Sequence, residues 1–181
     1  MSDIYKMMIK EEFCRKQIAQ AVNEVMTTEN GAVLWHCTEG KDRCGLLSAT
    51  ILFLLDVSED DVMEDYLKTN KAAITRVEKL KKKLHFAGLH KEKIEKLEGY
   101  FVAKEEFLNA ALQTMKEEYG SINQFMINGL GISMKQKKIL NKRCWNKKHW
   151  SEKWKKRKNN CNVRGFPDRL FPDEEIKRYR C

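Results

Sequence analysis

A chain of 181 residues with 42% hydrophobic and 34% charged side chains suits one globular domain of ordinary size. Its longest apolar run, GLLSATILFLLDV, is too short and too interrupted to cross a bilayer, and the opening MSDIYKMMIKEEF lacks the apolar stretch of a secretion signal. The net charge of +9 is confined to the residues from Lys142 onward, where 14 Lys and Arg stand against 5 Asp and Glu, so the body before them is neutral.

In the N-terminal stretch, Ile4, Met8, Phe13, Ile18, Val22 and Val25 recur at helical spacing, which predicts one helix ended by TTENG. The apolar AVLWH at 32–36 reads as a strand, apolar on both faces as a central parallel strand would be. After the turn HCTEGKDRCG a helix is expected to about Leu55, and Ser58 followed by Glu59, Asp60 and Asp61 caps another over 58–70. Residues 71–98 read as two basic helices broken at AGLH. Over 103–119 an amphipathic helix puts Phe107, Leu108, Ala111, Leu112 and Met115 on one face. Ser121 and Ser133 look like caps of short helices on either side of GLG at 129–131. One strand among some seven helices cannot make a sheet.

The turn after the strand carries the chemistry. A strand that passes through a glycine-containing loop into a helix N-terminus aims backbone N–H groups and the positive end of the helix dipole at one point, a site for an anion such as phosphate. Cys37, at the mouth of that loop, would have its thiolate held by the same amides, and helix N-termini bring cysteine pKa values down to roughly 3.5–7.5. Arg43 has the planar fork that grips two phosphate oxygens, and Asp42 can protonate a leaving alkoxide or phenolate and then activate water. Lys41 adds positive charge for an anionic substrate, while Gly40 and Gly45 permit a tight path and close approach. Taken singly, a cysteine at a strand end is a small core residue and Lys-Asp-Arg a solvated loop. Together in a strand–loop–helix setting they point to catalysis. The competing phosphate cradle, GxxxxGK[ST], is absent because Gly40-Lys41 is followed by Asp42.

His-Cys, five residues, Arg43, then Gly45 resembles the signature of cysteine-dependent tyrosine phosphatases. The longer HCTEGKDRCG is similar to the HCxxGKDRTG form of the bacterial and fungal tyrosine-phosphatase family, which includes mycobacterial secreted and Listeria-type enzymes acting on phosphotyrosine and often on phosphoinositides. The likeness extends to GAVLW before the loop, to DYLKTN at 65–70 and to residues 105–133, covering about residues 4 to 141. It implies an α/β, cysteine-dependent phosphatase-like fold, mostly helical here, with one central strand leading into the phosphate loop. Cys37 is then the nucleophile, Arg43 the phosphate clamp, Asp42 the general acid and Lys41 a substrate-phosphate contact. The loop Thr38, Glu39, Gly40, Lys41, Asp42 and Arg43 binds the substrate phosphate, without metal or cofactor. His36 either tunes the thiolate from behind or is a hydrogen-bonded core histidine.

Two positions and one missing region depart from that pattern. Cys44 stands where the family usually has Thr or Ser, whose hydroxyl stabilises the thiolate as the phosphoenzyme breaks down, and a thiol donates more weakly. Glu39 replaces a commonly small residue and would repel substrate unless it points outward. The family's N-terminal half, with most of the sheet and an Arg-Asp-Gly-containing stretch, has no counterpart, so the N-terminal sheet is expected to be missing, the strand poorly paired and the isolated chain weak or inactive.

Residues 1–141 are thus expected to be the C-terminal part of a phosphatase-like catalytic domain, and 142–181 a basic tail with three of the four tryptophans, three of the six cysteines and both prolines. Trp145, Trp150 and Trp154 among lysines have the composition for stacking bases, but basic tails are commonly just solvated, so nucleic acid is the weaker reading. Cys144, His149, Cys161 and Cys181 match no compact zinc spacing. A shifted reading frame would also explain the abrupt change in composition. Six cysteines without a CxxC pair fit a reducing compartment, the cytoplasm. The expected function is hydrolysis of phosphomonoesters, phosphotyrosine in proteins first. A phosphoinositide phosphatase, an inactive phosphate-binding or partner-binding module and a nucleic-acid-binding protein stay as alternatives.

Overall fold

The computed structural model describes residues 1–28, 32–86, 88, 90, 100–144 and 176–180. The N-terminal stretch folds as two helices, α1 (Ser2–Lys10) and α2 (Glu12–Thr27), because Glu11 between them is extended at φ −76°, ψ 125°. The Arg15 guanidinium binds the carbonyls of Ile9 and Lys10 and so satisfies the end of α1. The break resets the helical phase. Met8 and Val22 are buried as expected, whereas Ile4 and Phe13, expected on the same face, are exposed, and Tyr5, Ile9 and Met26 join the core.

Strand β1 (Ala32–His36) leads into α3 (Asp42–Leu54), followed by α4 (Glu59–Leu67) and α5 (Thr69–Phe86). Helix α3 is apolar nearly all round and is buried nearly all round, with Leu46, Leu47, Ala49, Ile51, Phe53 and Leu54 in the core. The Ser58 cap forms as expected, its hydroxyl accepting from the Asp61 N–H at 3.2 Å. The first of the two basic helices read over 71–98 is present as α5; residues 91–99, where the second would lie, are outside the described residues.

Helix α6 (Glu105–Tyr119) buries Phe107, Leu108, Ala111, Leu112 and Met115, the face its spacing predicts, and packs against α1 and α4. Ser121 caps α7 (Ile122–Gln124), which widens into a single π-helical turn at Phe125–Gly129, and Ser133 caps α8 (Met134–Cys144) in a reciprocal box with Gln136. Asn141 donates to the Leu54 carbonyl at 3.0 Å and ties α8 to the end of α3.

The expectation of a lone, poorly paired strand is corrected. A second strand, β2 (Ile176–Arg180), pairs parallel with β1 in a register running from Ala32 opposite Ile176 to His36 opposite Arg180. The partner comes from the basic tail, where Lys177, Arg178 and Arg180 outnumber Ile176 and Tyr179 in a segment too short and too charged to announce a strand. Among the described residues β1 has that one neighbour, and the chain is mostly helical.

Candidate active site

The loop between β1 and α3 turns on two glycines with different tasks. Gly40 has φ +66°, a conformation that other residues seldom adopt. Gly45 lies in the first turn of α3, where a Cβ would meet Cδ2 and Cε2 of Tyr66 at 2.8 Å. Its close approach is therefore to a tyrosine ring on α4.

No side chain caps the N-terminus of α3. The Cys37 sulfur takes that place: it accepts hydrogen bonds from the backbone N–H groups of Cys44, Glu39 and Lys41 and from the Cys44 thiol. Burial pushes the Cys37 thiol up, but these donors outweigh it and hold the group below its ordinary value, toward thiolate. Cys37 is half-buried and Cys44 is buried.

Arg43, on the exposed side of the loop, folds back so that Nη2 lies 3.4 Å from Thr38 Oγ1. Thr38 is exposed, and Glu39 is half-buried with its backbone N–H toward the cysteine sulfur. His36 is exposed at the end of β1 and is not a core histidine.

Lys41 is placed differently from the expected substrate contact. Its side chain is 1% exposed, and Nζ donates to the carbonyls of Tyr100 at 2.7 Å and Val102 at 3.2 Å. It also stands 3.4 Å from Asp42 Oδ1 and 5.7 Å from the centre of the Phe107 ring. The ammonium thus ties the loop to segment 100–104. Asn70 clamps the same segment, donating to the Ala103 carbonyl at 2.8 Å and accepting from its N–H at 2.7 Å.

Asp42, the first residue of α3, is oriented by residues to which no role had been assigned. Tyr5 donates to Asp42 Oδ1 at 2.9 Å, and the Tyr5 and Tyr66 hydroxyls are 2.7 Å apart. Because the single Tyr5 proton goes to the carboxylate, Tyr66 is the donor to Tyr5, and the Lys104 N–H donates to Tyr66 in turn. Burial, first of all, pushes the Tyr5 hydroxyl far up and Tyr66 up to about 12, so both keep their protons as donors. The available signal was chemical: a tyrosine on a buried helix face needs a partner for its hydroxyl.

Among the described residues no group of three or more His, Cys, Asp or Glu is placed to hold a metal ion. His149, Cys161, Cys181 and the three tail tryptophans lie outside the described residues, and of Cys144 only the helical backbone is described.

The family model described as the tyrosine phosphatase family matches residues 1–146. A Cupriavidus necator protein whose name assigns it to the tyrosine-protein phosphatases is 25% identical over 123 residues, 61% of this chain and 40% of its own length. The triple specificity protein phosphatase PtpB of Mycobacterium tuberculosis is 29% identical over 122 residues, 62% of this chain and 44% of its own. A tyrosine-protein phosphatase of Nostoc commune is 36% identical over 50 residues, covering 28% of this chain and 17% of its own. The chain thus aligns with less than half the length of each of these relatives.

Proposed function

The chain belongs to the tyrosine phosphatase family, and we propose that it hydrolyses phosphomonoesters, phosphotyrosine in proteins foremost, through a phosphate carried on Cys37. The observation that carries this reading is the Cys37 sulfur at the N-terminus of α3, fed by three backbone N–H groups and a thiol. The thiolate attacks phosphorus, the phosphorus–oxygen bond to the leaving group breaks, and Asp42 gives that oxygen its proton. The loop amides of residues 38–43 and the Arg43 fork hold the three equatorial oxygens as their charge grows. Asp42 then takes a proton from water as it attacks the phosphocysteine, and the departing sulfur is received by the Cys44 thiol and the same amides.

Tyr5, Tyr66 and Lys41 act through Asp42 and the loop. Residues 1–141 are the proposed catalytic part and 142–181 a basic appendage. Cysteine usage favours the cytoplasm, and among the described residues no helix is long and apolar enough to cross a membrane. One observation favours phosphoinositides as a second substrate class: α5 exposes Lys71, Lys79, Lys82 and Lys83 on the chain that carries the loop.

The test is hydrolysis of an aryl phosphate by the chain and by its Cys37→Ser variant. Loss of turnover with retained binding of phosphate supports the reading, because the amide cradle and Arg43 survive the substitution. Equal turnover removes Cys37 from the mechanism, and absence of turnover in both leaves a phosphate-binding module. Parallel assays on a phosphotyrosyl peptide and a phosphoinositide divide the substrate classes.

A further inference from the structure

The fold brings the far end of the basic tail to the mouth of the loop. Strand β2 runs parallel to β1, so both strands end at the same edge, and Arg180 stands opposite His36, the residue before Cys37. In open parallel sheets ligands bind beyond the carboxyl ends of the strands, which here is where the loop begins. We propose that Arg178 and Arg180 form a second anion subsite beside the phosphate loop, one that selects phosphotyrosyl peptides carrying another anionic group near the phosphotyrosine. The proposal rests on the reading of the loop as a phosphotyrosine site and names the class of peptide that it prefers.

Register places the two arginines. Paired strands lie about 4.8 Å apart and rise about 3.3 Å per residue, so the Arg180 backbone is about 5 Å from that of His36 and one residue step short of Cys37. Residues alternate between the two faces of a strand, which puts Arg178 and Arg180 on the sheet face of Leu34 and His36. Leu34 is 49% exposed and His36 is exposed, whereas Trp35, on the other face, donates its indole N–H to Ser48 of α3 at 3.2 Å. The arginines therefore share the face that is turned from α3 and left exposed.

Charge supplies the reason for a subsite there. Of the two cations in the loop, Lys41 belongs to the scaffold, 1% exposed and bound to the carbonyls of Tyr100 and Val102. Arg43 is assigned to the reacting phosphate. The body before Lys142 is neutral, so the excess positive charge of the chain comes from the tail, and β2 carries part of it to the edge where the loop starts. A guanidinium binds a carboxylate or a phosphate through two parallel hydrogen bonds. The second anion on the peptide is thus an Asp or Glu side chain or another phosphate, and the test separates these sources.

The test measures peptide binding to the full chain carrying Cys37→Ser. Three phosphotyrosyl peptides are compared: one with alanines around the phosphotyrosine, one with Asp and Glu there, and one with a second phosphotyrosine. The expected result is that at least one anionic peptide binds about tenfold more tightly than the neutral one, as a charge-assisted hydrogen bond would give. That preference shrinks as ionic strength rises. Adding Arg178→Thr and Arg180→Thr removes the charge, keeps residues that favour a strand, and abolishes the preference. Adding Arg178→Lys and Arg180→Lys instead keeps the charge and part of the preference, which tells loss of the subsite from loss of the strand. A preference that survives the threonine substitutions, or a loss that falls equally on the neutral peptide, overturns the proposal. Equal affinity for the three peptides also overturns it, and if the threonine substitutions then abolish binding of a single-stranded oligonucleotide, the arginines serve nucleic acid. Because binding is read without turnover, an anion preference in a chain that hydrolyses no aryl phosphate supports the subsite and refutes only the catalytic reading.

Discussion

Tyr5 and Asp42 are 37 residues apart in the chain, and the Tyr5 hydroxyl donates to Asp42 Oδ1 at 2.9 Å. The bond joins the first helix of the chain to the first residue of the helix that carries the loop. It fixes the carboxyl group that the proposed mechanism uses to protonate the leaving group. Tyr5→Phe keeps the ring against Phe107 and Tyr66 and removes the donor. The expected cost is about 1–3 kcal/mol of stability. Turnover of an alkyl phosphate should fall roughly tenfold, and that of an activated aryl phosphate much less, since only the poor leaving group needs the acid. Asp42→Asn should show the same selectivity more strongly, by about 100-fold or more. Equal slowing of both esters in Tyr5→Phe would mean that Tyr5 acts on the fold alone.

Lys41 separates two roles. As a substrate contact, Lys41→Met would raise KM and leave thermal stability alone. Buried against the carbonyls of Tyr100 and Val102, the ammonium is instead part of the scaffold. Its loss should lower stability by about 1–3 kcal/mol through the two carbonyls left without a donor. Hydrogen exchange should rise at residues 100–104, and the melting temperature and the exchange rate of the Ala103 amide are the readouts.

The depressed pKa of Cys37 makes both reactivity and stability depend on pH. Above its folded value Cys37 is a thiolate and alkylates rapidly, and below it the rate with iodoacetamide falls tenfold per pH unit. For stability the sign follows from a folded pKa below the unfolded one. The contribution is fully present above the ordinary thiol value and is lost as pH falls through the folded value. Cys37→Ser should flatten the pH dependence over that window, as read by denaturant unfolding.

Gly45 gives a steric prediction. A methyl at this position would meet the Tyr66 ring at 2.8 Å and push it from the hydroxyl chain that ends on Asp42. Gly45→Ala should cost about 1–3 kcal/mol and reduce turnover in step with Tyr5→Phe. Gly40→Ala meets no neighbour, and its cost should be the backbone term alone, about 1–2 kcal/mol.

What the sequence carried legibly was local. The strand–loop–helix around Cys37 and Arg43 lies within a dozen residues, so spacing and residue type were enough to place it. The buried face of α6 followed from its helical period, and Ser58, Ser121 and Ser133 cap where their hydroxyls were expected. What stayed hidden depends on tertiary contact. The break at Glu11 turns Phe13 outward, a change of phase that the apolar period alone does not reveal. The charge on Lys41 suggested solvent or substrate, while carbonyls 59 and 61 residues away decide its place. Tyr5 carried no motif, Tyr66 was quoted within DYLKTN without a role, and only the fold links the Tyr66 hydroxyl through that of Tyr5 to Asp42.

The central claim is that a phosphate passes through Cys37. The most direct measurement mixes the full chain with an activated aryl phosphate, quenches within the first turnover, digests, and weighs peptide Gln17–Lys41, which holds Cys37 as its one cysteine. The account predicts that this peptide carries one phosphate on sulfur early in the reaction, and that Cys37→Ser carries none. Phosphate on another residue, or turnover with an unmodified Cys37 peptide at every quench time, would contradict it.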